Sequence, residues 1–126
     1  LPLFAGGHSM SGRMTSLAFA EEPLPIQGIV FVAFPLNGGK GPTERTEHFS
    51  DVNMPMLFLQ GTKDKLADMD AVQSVCKDLA DQATLHIIDT ADHGFKMLKR
   101  SGKTHEQAIV ELAAEIAGWT AAVAGV

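Results

Sequence analysis

Short apolar runs alternate along the chain with longer segments in which apolar residues recur every three or four positions. The apolar runs cover residues 3–5, 28–34, 56–60 and 85–88. Runs that are apolar on both faces are typical of strands in a parallel sheet, since helices cover both sides of such a sheet. These four runs therefore predict four buried strands.

The segments between the strands predict helices. The second helix has an N-cap in Asp68, and the last opens with a capping box, in which Thr104 is followed three residues later by Gln107. Residues 35–42 predict a loop and residues 43–51 a short helical segment.

Two of these helices have an apolar face that can be written down residue by residue. On the first helix the predicted face consists of Met10, Met14, Leu17 and Ala18. On the last helix it consists of Ile109, Leu112, Ile116, Trp119 and Val123.

Strands that alternate with helices predict an α/β fold, in which a parallel sheet has right-handed crossovers and helices on both faces. We expect about four strands and three to four helices in one domain over residues 1–126. The chain begins at Leu1, inside an apolar stretch and without an initiator methionine. We therefore expect it to start within a larger domain that is truncated at its N-terminus.

Composition narrows the class of protein. Hydrophobic residues make up 45% of the 126 residues, which is enough for a core. The net charge is −5 and the acidic residues are scattered, which argues against nucleic acid or an acidic membrane as partner. Cys76 is the single cysteine, so a reducing, cytoplasmic compartment is expected. Its place on an apolar helix face favours a core residue over a reactive thiol.

A turn of small residues follows the first strand, at residues 6–12 with the sequence GGHSMSG. A serine flanked by glycines between a strand and a helix is what a nucleophile elbow requires, because the tight turn leaves room only for small neighbours. The match to G-x-S-x-G is imperfect, since Ser11 takes the last position and Gly12 follows it. An ordinary glycine-rich turn is the alternative interpretation.

Three residues of complementary chemistry follow predicted strands. Ser9, Asp64 and His93 occur in that chain order, each just beyond the carboxyl end of a strand. A serine hydroxyl becomes a good nucleophile when a base takes its proton, and that base needs a carboxylate to fix its tautomer. Since such loops meet at one edge of a parallel sheet, the pattern predicts a catalytic triad.

The segments around these residues resemble the α/β-hydrolase superfamily, and more narrowly its dienelactone-hydrolase-like branch. The resemblance rests on residues 7–14, 57–64 and 91–95. It covers nearly the whole chain but only the carboxyl-terminal half of that fold.

The resemblance implies a role for each site residue. Ser9 would be the nucleophile, His93 the general base and acid, and Asp64 the orienting acid. The amide of Met10 would supply one oxyanion donor, while the loop that normally supplies the second lies in the absent half. No cofactor and no metal ion are implied.

Other carboxylates and histidines compete for these roles. Asp89 and Asp92 lie close to His93 in sequence and could replace Asp64, whereas Asp68 is better explained as a helix cap. His8 is expected to point away from the nucleophile and to pack under the turn.

The remaining histidines are His48, His86 and His105, which we expect on the surface or in the core. His105 and Glu106 begin like a zinc-protease motif, but Ile109 stands where the second histidine should be. Glycines around Lys40 suggest a phosphate loop, but the required spacing is absent. A plain loop is therefore favoured there.

The leading hypothesis is a serine hydrolase that acts on a small ester or similar acyl substrate. The alternative is a non-catalytic interaction module with the same fold. A third is a thioester or lactone hydrolase whose polar substrate lies near the basic residues Lys96, Lys99, Arg100 and Lys103. The strand at residues 3–5 would form an exposed apolar edge, which predicts a homodimer.

Overall fold

Four parallel strands form one sheet in the computed structural model, which describes residues 1–38 and 45–125. The strands are β1 (Ala5–His8), β2 (Ile29–Val32), β3 (Met56–Gly61) and β4 (Ala83–Ile88). Their order in the sheet is the order along the chain, and every neighbouring pair is parallel. All four strands therefore end at one edge of the sheet, which collects the loops that follow them.

Three helices connect and cover the strands, namely α1 (Met10–Glu21), α2 (Met69–Leu79) and α3 (His105–Ala124). The Asp68 side chain accepts a hydrogen bond from the amide of Ala71, and both bonds of the capping box at Thr104 are present. Four 3-10 turns lie at Leu36–Gly38, Glu47–Asp51, Ala80–Gln82 and Lys99–Ser101. The predicted α/β architecture is confirmed.

The sheet separates two hydrophobic cores. One lies under α1 and α2 and includes Phe19, Phe31, Phe58 and Val72. The other lies under α3 and includes Leu57, Leu59, Ala108 and Leu112. β3 is buried along its whole length, because it takes part in both cores between two neighbouring strands.

β1 differs from the prediction, since it lies at Ala5–His8 and not at residues 3–5. Leu3 is exposed, and Phe4 precedes the strand with its ring packed edge-on against Trp119 of α3. A Cβ on Gly6 would lie 2.3 Å from the carbonyl oxygen of Val30, so the strand needs a glycine where it approaches β2. The prediction failed because it followed the apolar residues, whereas small residues form this strand.

The buried face of α1 also differs from the prediction. Met10 and Met14 are 38% and 47% exposed, whereas the buried residues are Gly12, Ser16 and Phe19. On α3 the predicted face is correct at Leu112, Ile116 and Trp119, which pack in or against the core. Ile109 is 45% exposed, and Ala108 is buried in its place. On α1 the buried Gly12 allows the helix to cross β1 closely, since a Cβ there would lie 2.9 Å from the carbonyl oxygen of Gly7.

Several sequence predictions fall on residues 39–44, outside the described residues. These are most of the glycine-rich loop with Lys40, including its phosphate-loop alternative, and the start of the segment 43–51. The rest of that segment contains the 3-10 turn Glu47–Asp51. Within the described residues, no helix combines the length and the apolar character that crossing a membrane requires.

Candidate active site

Ser9 stands at the sharp turn between β1 and α1. Its amide donates to the carbonyl of Val32 at 2.8 Å, which continues the ladder, and its own carbonyl accepts from the amide of Gly12 at 3.1 Å. Its backbone has φ 58° and ψ −126°, a conformation that is costly for a residue with a side chain. The turn thus holds the serine side chain in a strained position at the carboxyl edge of the sheet.

Glycines allow the helix to leave the strand this abruptly. A Cβ on Gly7 would lie 2.6 Å from the Cβ of Ser11, and one on Gly12 would lie 2.9 Å from the carbonyl oxygen of Gly7. The departure from G-x-S-x-G therefore has a physical explanation. The glycine at position 7 makes room for the serine at position 11, and the close crossing of helix and strand takes place at Gly12.

Asp64 lies in the loop that follows β3. Its side chain is fully buried, and its Oδ1 accepts a hydrogen bond from the amide of Leu66 at 2.8 Å. This bond fixes the carboxylate, and its second oxygen, Oδ2, is directed at the ring of His93. A buried carboxylate held in this way can orient a neighbouring imidazole.

His93 lies in the loop between β4 and α3. The ring Nδ1 is 2.8 Å from Asp64 Oδ2, and the ring Nε2 is 2.7 Å from Ser9 Oγ. Since a carboxylate only accepts, Nδ1 carries the hydrogen and Nε2 accepts from the serine hydroxyl. The side chain of His93 remains 25% exposed. The structure thus places the three side chains in one continuous chain of hydrogen bonds.

A buried aromatic residue anchors the loop that carries His93. Phe95 is 1% exposed and packs in the core under α3, with its backbone in the left-handed region at φ 64°. Asp92 Oδ1 accepts from the amides of Gly94 and Lys96, which closes the turn around the histidine. The loop is therefore well defined although it belongs to no helix or strand.

The competing carboxylates have other partners. Asp68 caps α2, Asp89 accepts from the hydroxyl of Thr62 at 3.0 Å, and Asp92 closes its own turn. Within the described residues, the carboxylate that hydrogen-bonds the His93 ring is that of Asp64.

The family model of the alpha/beta hydrolase domain matches residues 1–121 of this chain. The chain belongs to the α/β-hydrolase family. This confirms the superfamily that the motifs around Ser9, Asp64 and His93 indicated.

Solved structures show the same fold. A candidate dienelactone hydrolase from Klebsiella pneumoniae is 25% identical, with a TM-score of 0.70 over 94% of this chain and 51% of its own. A lidless α/β serine hydrolase from Xanthomonas campestris is 26% identical, with a TM-score of 0.59 over 97% of this chain and 46% of its own.

An esterase domain from Rhodothermus marinus is 17% identical, with a TM-score of 0.64 over 95% of this chain and 59% of its own. This α/β hydrolase chain thus spans about half the length of the three solved structures.

His8 of the α/β hydrolase does not pack under the turn as predicted. Its side chain is exposed, and its Nε2 lies 3.0 Å from the backbone oxygen of His93. The two rings lie 5.3 Å apart at an angle of 40°. The position of His8, last in the strand and directly before the serine, was the one sequence signal for this contact.

Met10 follows Ser9 in the chain, and Arg45 contacts Met10. Met10 opens α1, so its amide belongs to the first turn, where N–H groups have no partner inside the helix. The Nη1 of Arg45 donates to the carbonyl of Pro35 at 2.9 Å and lies 3.3 Å from the sulfur of Met10. Arg45 follows the undescribed segment, and nothing in the sequence pattern indicated that it would lie here.

The other histidines have structural partners. His48 Nε2 lies 2.6 Å from the hydroxyl of Ser16. His105 Nδ1 donates to the carbonyl of Phe95 at 2.9 Å, and His86 Nε2 lies 2.6 Å from a carboxylate oxygen of Glu111. They lie on the surface or under a helix, as expected from the sequence.

The basic residues beyond His93 divide into two groups. Lys103 pairs with Glu111, and hydrogen bonds from Lys103 and His86 hold the pKa of that glutamate below its usual value. Lys96, Lys99 and Arg100 are exposed.

Cys76 packs against the core, where burial raises the pKa of its thiol to about 11, as suits a core residue.

A cavity of about 300 Å³ adjoins the candidate site, lined by Lys63, Lys65, Asp92, His93 and Gly94. A larger depression of about 350 Å³ lies between the turn Glu47–Asp51 and α2, away from the hydrogen-bonded chain. His93 is among the residues that line the first cavity, whereas Ser9 is not.

Proposed function

We propose that this chain carries the catalytic residues of a serine hydrolase that cleaves a small ester or a similar acyl compound. The observation that supports this most strongly is the hydrogen-bonded chain from Asp64 through His93 to Ser9, with donor and acceptor atoms 2.8 and 2.7 Å apart. Membership of the α/β-hydrolase family supports the same reaction class.

In the first step the Ser9 hydroxyl oxygen attacks the acyl carbon while His93 Nε2 takes its proton. The buried carboxylate of Asp64 stabilises the imidazolium that forms. Negative charge then develops on the former carbonyl oxygen, where the Met10 amide and the start of α1 provide a donor and a favourable dipole.

The tetrahedral intermediate collapses when the bond to the leaving group breaks, and His93 gives its proton to the departing oxygen. A water molecule then attacks the acyl-enzyme, with His93 accepting its proton. Breakage of the acyl bond to Ser9 releases the acid and returns the proton to the serine.

Intact-mass spectrometry after exposure to a fluorophosphonate tests this proposal. We expect one adduct on the folded wild-type chain, and none on Ser9→Ala or His93→Ala. Ser11→Ala is the matched control, since Ser11 lies two residues further along the chain and, among the described residues, the serine that hydrogen-bonds the His93 ring is Ser9. Absence of an adduct on the folded wild-type chain, or an adduct that survives in Ser9→Ala, would overturn the proposal.

A non-catalytic interaction module is the second candidate, and the length of the relatives favours it. The chain spans 51% of the Klebsiella protein, so residues outside it could complete the oxyanion site. Since loss of one oxyanion donor costs about 10²–10³ in rate, the chain alone would then be slow. A binding module would tolerate Ser9→Ala, whereas a hydrolase would not.

The proposal includes three classes of acyl substrate, namely esters, thioesters and lactones. Lys63 and Lys65 line the cavity beside His93, so the proposal includes a polar substrate among the alternatives. Initial rates with chromogenic esters of different chain length, set against a thioester and a lactone, distinguish these classes.

We also propose that the chain self-associates through β1, the outer strand of the sheet. An exposed strand edge offers unpaired backbone groups to a second copy. Light scattering at micromolar concentration would give twice the monomer mass, and a monomer would refute this part of the proposal.

A further inference from the structure

Two adjacent residues at the end of β1 contact the same histidine. Ser9 Oγ bonds the ring Nε2 of His93 at 2.7 Å, and His8 Nε2 lies 3.0 Å from the backbone oxygen of His93. A carbonyl oxygen only accepts, so His8 carries its hydrogen on Nε2 and donates it. Ser9 therefore bonds the ring of the proposed base, and His8 bonds its main chain.

The other bonds of the loop fix it elsewhere. Asp92 closes the turn around Gly94, Thr90 accepts from the amide of Leu98, and His105 of α3 donates to the carbonyl of Phe95. The amide of Lys63 donates to the carbonyl of Ala91, and the hydroxyl of Thr62 accepts from the amide of Thr90, both from the segment after β3. The loop is thus bonded to itself, to the segment after β3 and to α3. Within residues 1–38 and 45–125, the hydrogen bond that joins the main chain of this loop to β1 is the one from His8.

The His8 side chain is exposed, so its removal opens no buried cavity. Its loss should have little effect on the free energy of unfolding, because water can replace the lost bond at an exposed site. The reaction rate, in contrast, depends strongly on the distance between His93 Nε2 and Ser9 Oγ, because a misplacement of about 1 Å in a catalytic group can reduce the rate by about 10²-fold.

We propose that His8 is a positioning residue, which sets the distance from His93 to Ser9 through the backbone oxygen of His93. This inference rests on the proposed function, because it concerns the geometry of that same site. It assigns His8 no contact with the reacting atoms, so the expected change is in kcat and in reactivity with a fluorophosphonate, with KM nearly unchanged.

Two variants of His8 separate positioning from packing. His8→Ala removes the donor, whereas His8→Gln places an amide N–H at a similar reach and can restore the bond. His86→Ala is the matched control, since it removes a half-buried histidine. The partners of His86 are Glu111 and Glu115 on α3, away from the site. All three chains are first compared with wild type by circular dichroism and thermal unfolding.

The readout that does not need activity is the low-field proton NMR signal of His93 Nδ1–H, assigned by its loss in Asp64→Asn. We expect His8→Ala to shift or broaden this signal and to slow labelling about tenfold, His8→Gln to restore most of both, and His86→Ala to change neither. An unchanged signal in His8→Ala, or equal effects of alanine and glutamine, would overturn the inference.

The two proposals fail in different ways. If the wild-type chain does not react with a fluorophosphonate, the proposed function fails, while the NMR signal still tests whether His8 positions His93. If the wild-type chain reacts and His8→Ala reacts equally fast with an unchanged signal, the hydrolase proposal stands and the role of His8 is refuted.

Discussion

Among the residues that the structure describes, two serine–histidine pairs are hydrogen-bonded at nearly the same distance. Ser9 Oγ lies 2.7 Å from the ring of His93, and Ser16 Oγ lies 2.6 Å from the ring of His48. The first serine immediately precedes α1 and the second lies two turns further along that helix. Only their surroundings decide what each pair can do.

The Ser16 pair is arranged for packing. Ser16 is fully buried, and its hydroxyl donates to the carbonyl of Arg13 at 2.9 Å, so its hydrogen is already used. Burial, with the positive charge of Arg13, lowers the pKa of His48 to about 4. An imidazole that resists protonation is a poor base, and a buried hydroxyl cannot be reached by a substrate.

The Ser9 pair differs on each of these points. Its serine lies in a strained turn at the edge of the sheet, its histidine is partly exposed, and the second ring nitrogen faces the buried carboxylate of Asp64. A short serine–histidine distance is therefore not sufficient for a nucleophile. Access and a carboxylate partner for the imidazolium distinguish the two pairs.

The largest expected effect is on ester hydrolysis. Ser9→Ala should lower kcat for a chromogenic ester by about 10⁶-fold, because the nucleophile is removed. Ser16→Ala should keep the rate within about threefold, since Ser16 has no part in the proposed reaction. Equal losses in both variants, measured on chains with matched circular dichroism, would remove the distinction between the pairs.

Asp64→Asn tests the carboxylate that hydrogen-bonds the second ring nitrogen of His93. At His48, where burial lowers the pKa, the charge of Asp51 acts in the opposite direction, but among the described residues no carboxylate hydrogen-bonds the ring. The amide can donate to the imidazole and so favour the wrong tautomer, which should lower kcat by about 10⁴-fold. Initial rates for Asp64→Asn and for Asp89→Asn, as matched control, measure this. A rate in Asp64→Asn within tenfold of wild type would mean that the carboxylate does not orient His93.

The third prediction concerns stability against pH. The folded pKa of His48 is about 4 and its ordinary value is 6.5, so the folded state binds fewer protons between these values. The contribution of neutral His48 to the free energy of unfolding is then fully present above pH 6.5 and is lost as the pH falls towards 4. Because the ring is half-buried and partly screened, we expect a loss of about 1–2 kcal/mol.

Urea unfolding between pH 7 and pH 4.5 measures that loss, with His48→Gln as reference. Glutamine can keep the bond to Ser16 but does not titrate, so its curve should fall less steeply. Hydrogen bonds from Lys103 and His86 lower the pKa of Glu111 in both chains, so its contribution cancels in the comparison. Parallel curves for wild type and His48→Gln would contradict the prediction.

The smallest expected effect is on the free energy of unfolding. Here Ser16→Ala should have the larger effect and Ser9→Ala the smaller, the opposite of their effects on the rate. Ser16→Ala removes the hydrogen bond to the half-buried ring of His48 and should lower the free energy of unfolding by about 1 kcal/mol. Ser9→Ala removes a hydroxyl that is partly exposed and should change it by less than about 0.5 kcal/mol. Urea unfolding at pH 7 of both variants gives the comparison, and a greater loss for Ser9→Ala would contradict it.

Parts of the fold were predictable because single segments determine them. β2 and β3 are apolar on both faces, and the caps at Asp68 and Thr104 use local hydrogen bonds, so the sequence pattern identifies them directly. β1 was misplaced because its position depends on close approach of glycine backbone to Val30, which apolar periodicity does not record.

The candidate site shows the same division. Ser9, Asp64 and His93 were predictable as a set because each follows a strand and parallel strands end at one edge. His8 was assigned the wrong contact, since its bond goes to a backbone oxygen 85 residues away and no side-chain pattern marks such a partner. The catalytic roles of the three residues stay predictions.

The most direct test of the central claim is to find which serine a fluorophosphonate modifies. Trypsin cleaves after Arg13, so Ser9 falls in the peptide 1–13 and Ser16 in the peptide 14–40. We expect the whole adduct on 1–13, with fragmentation placing it on Ser9 and not on Ser11. An adduct on 14–40 or on Ser11, or no adduct on the folded chain, would contradict the account.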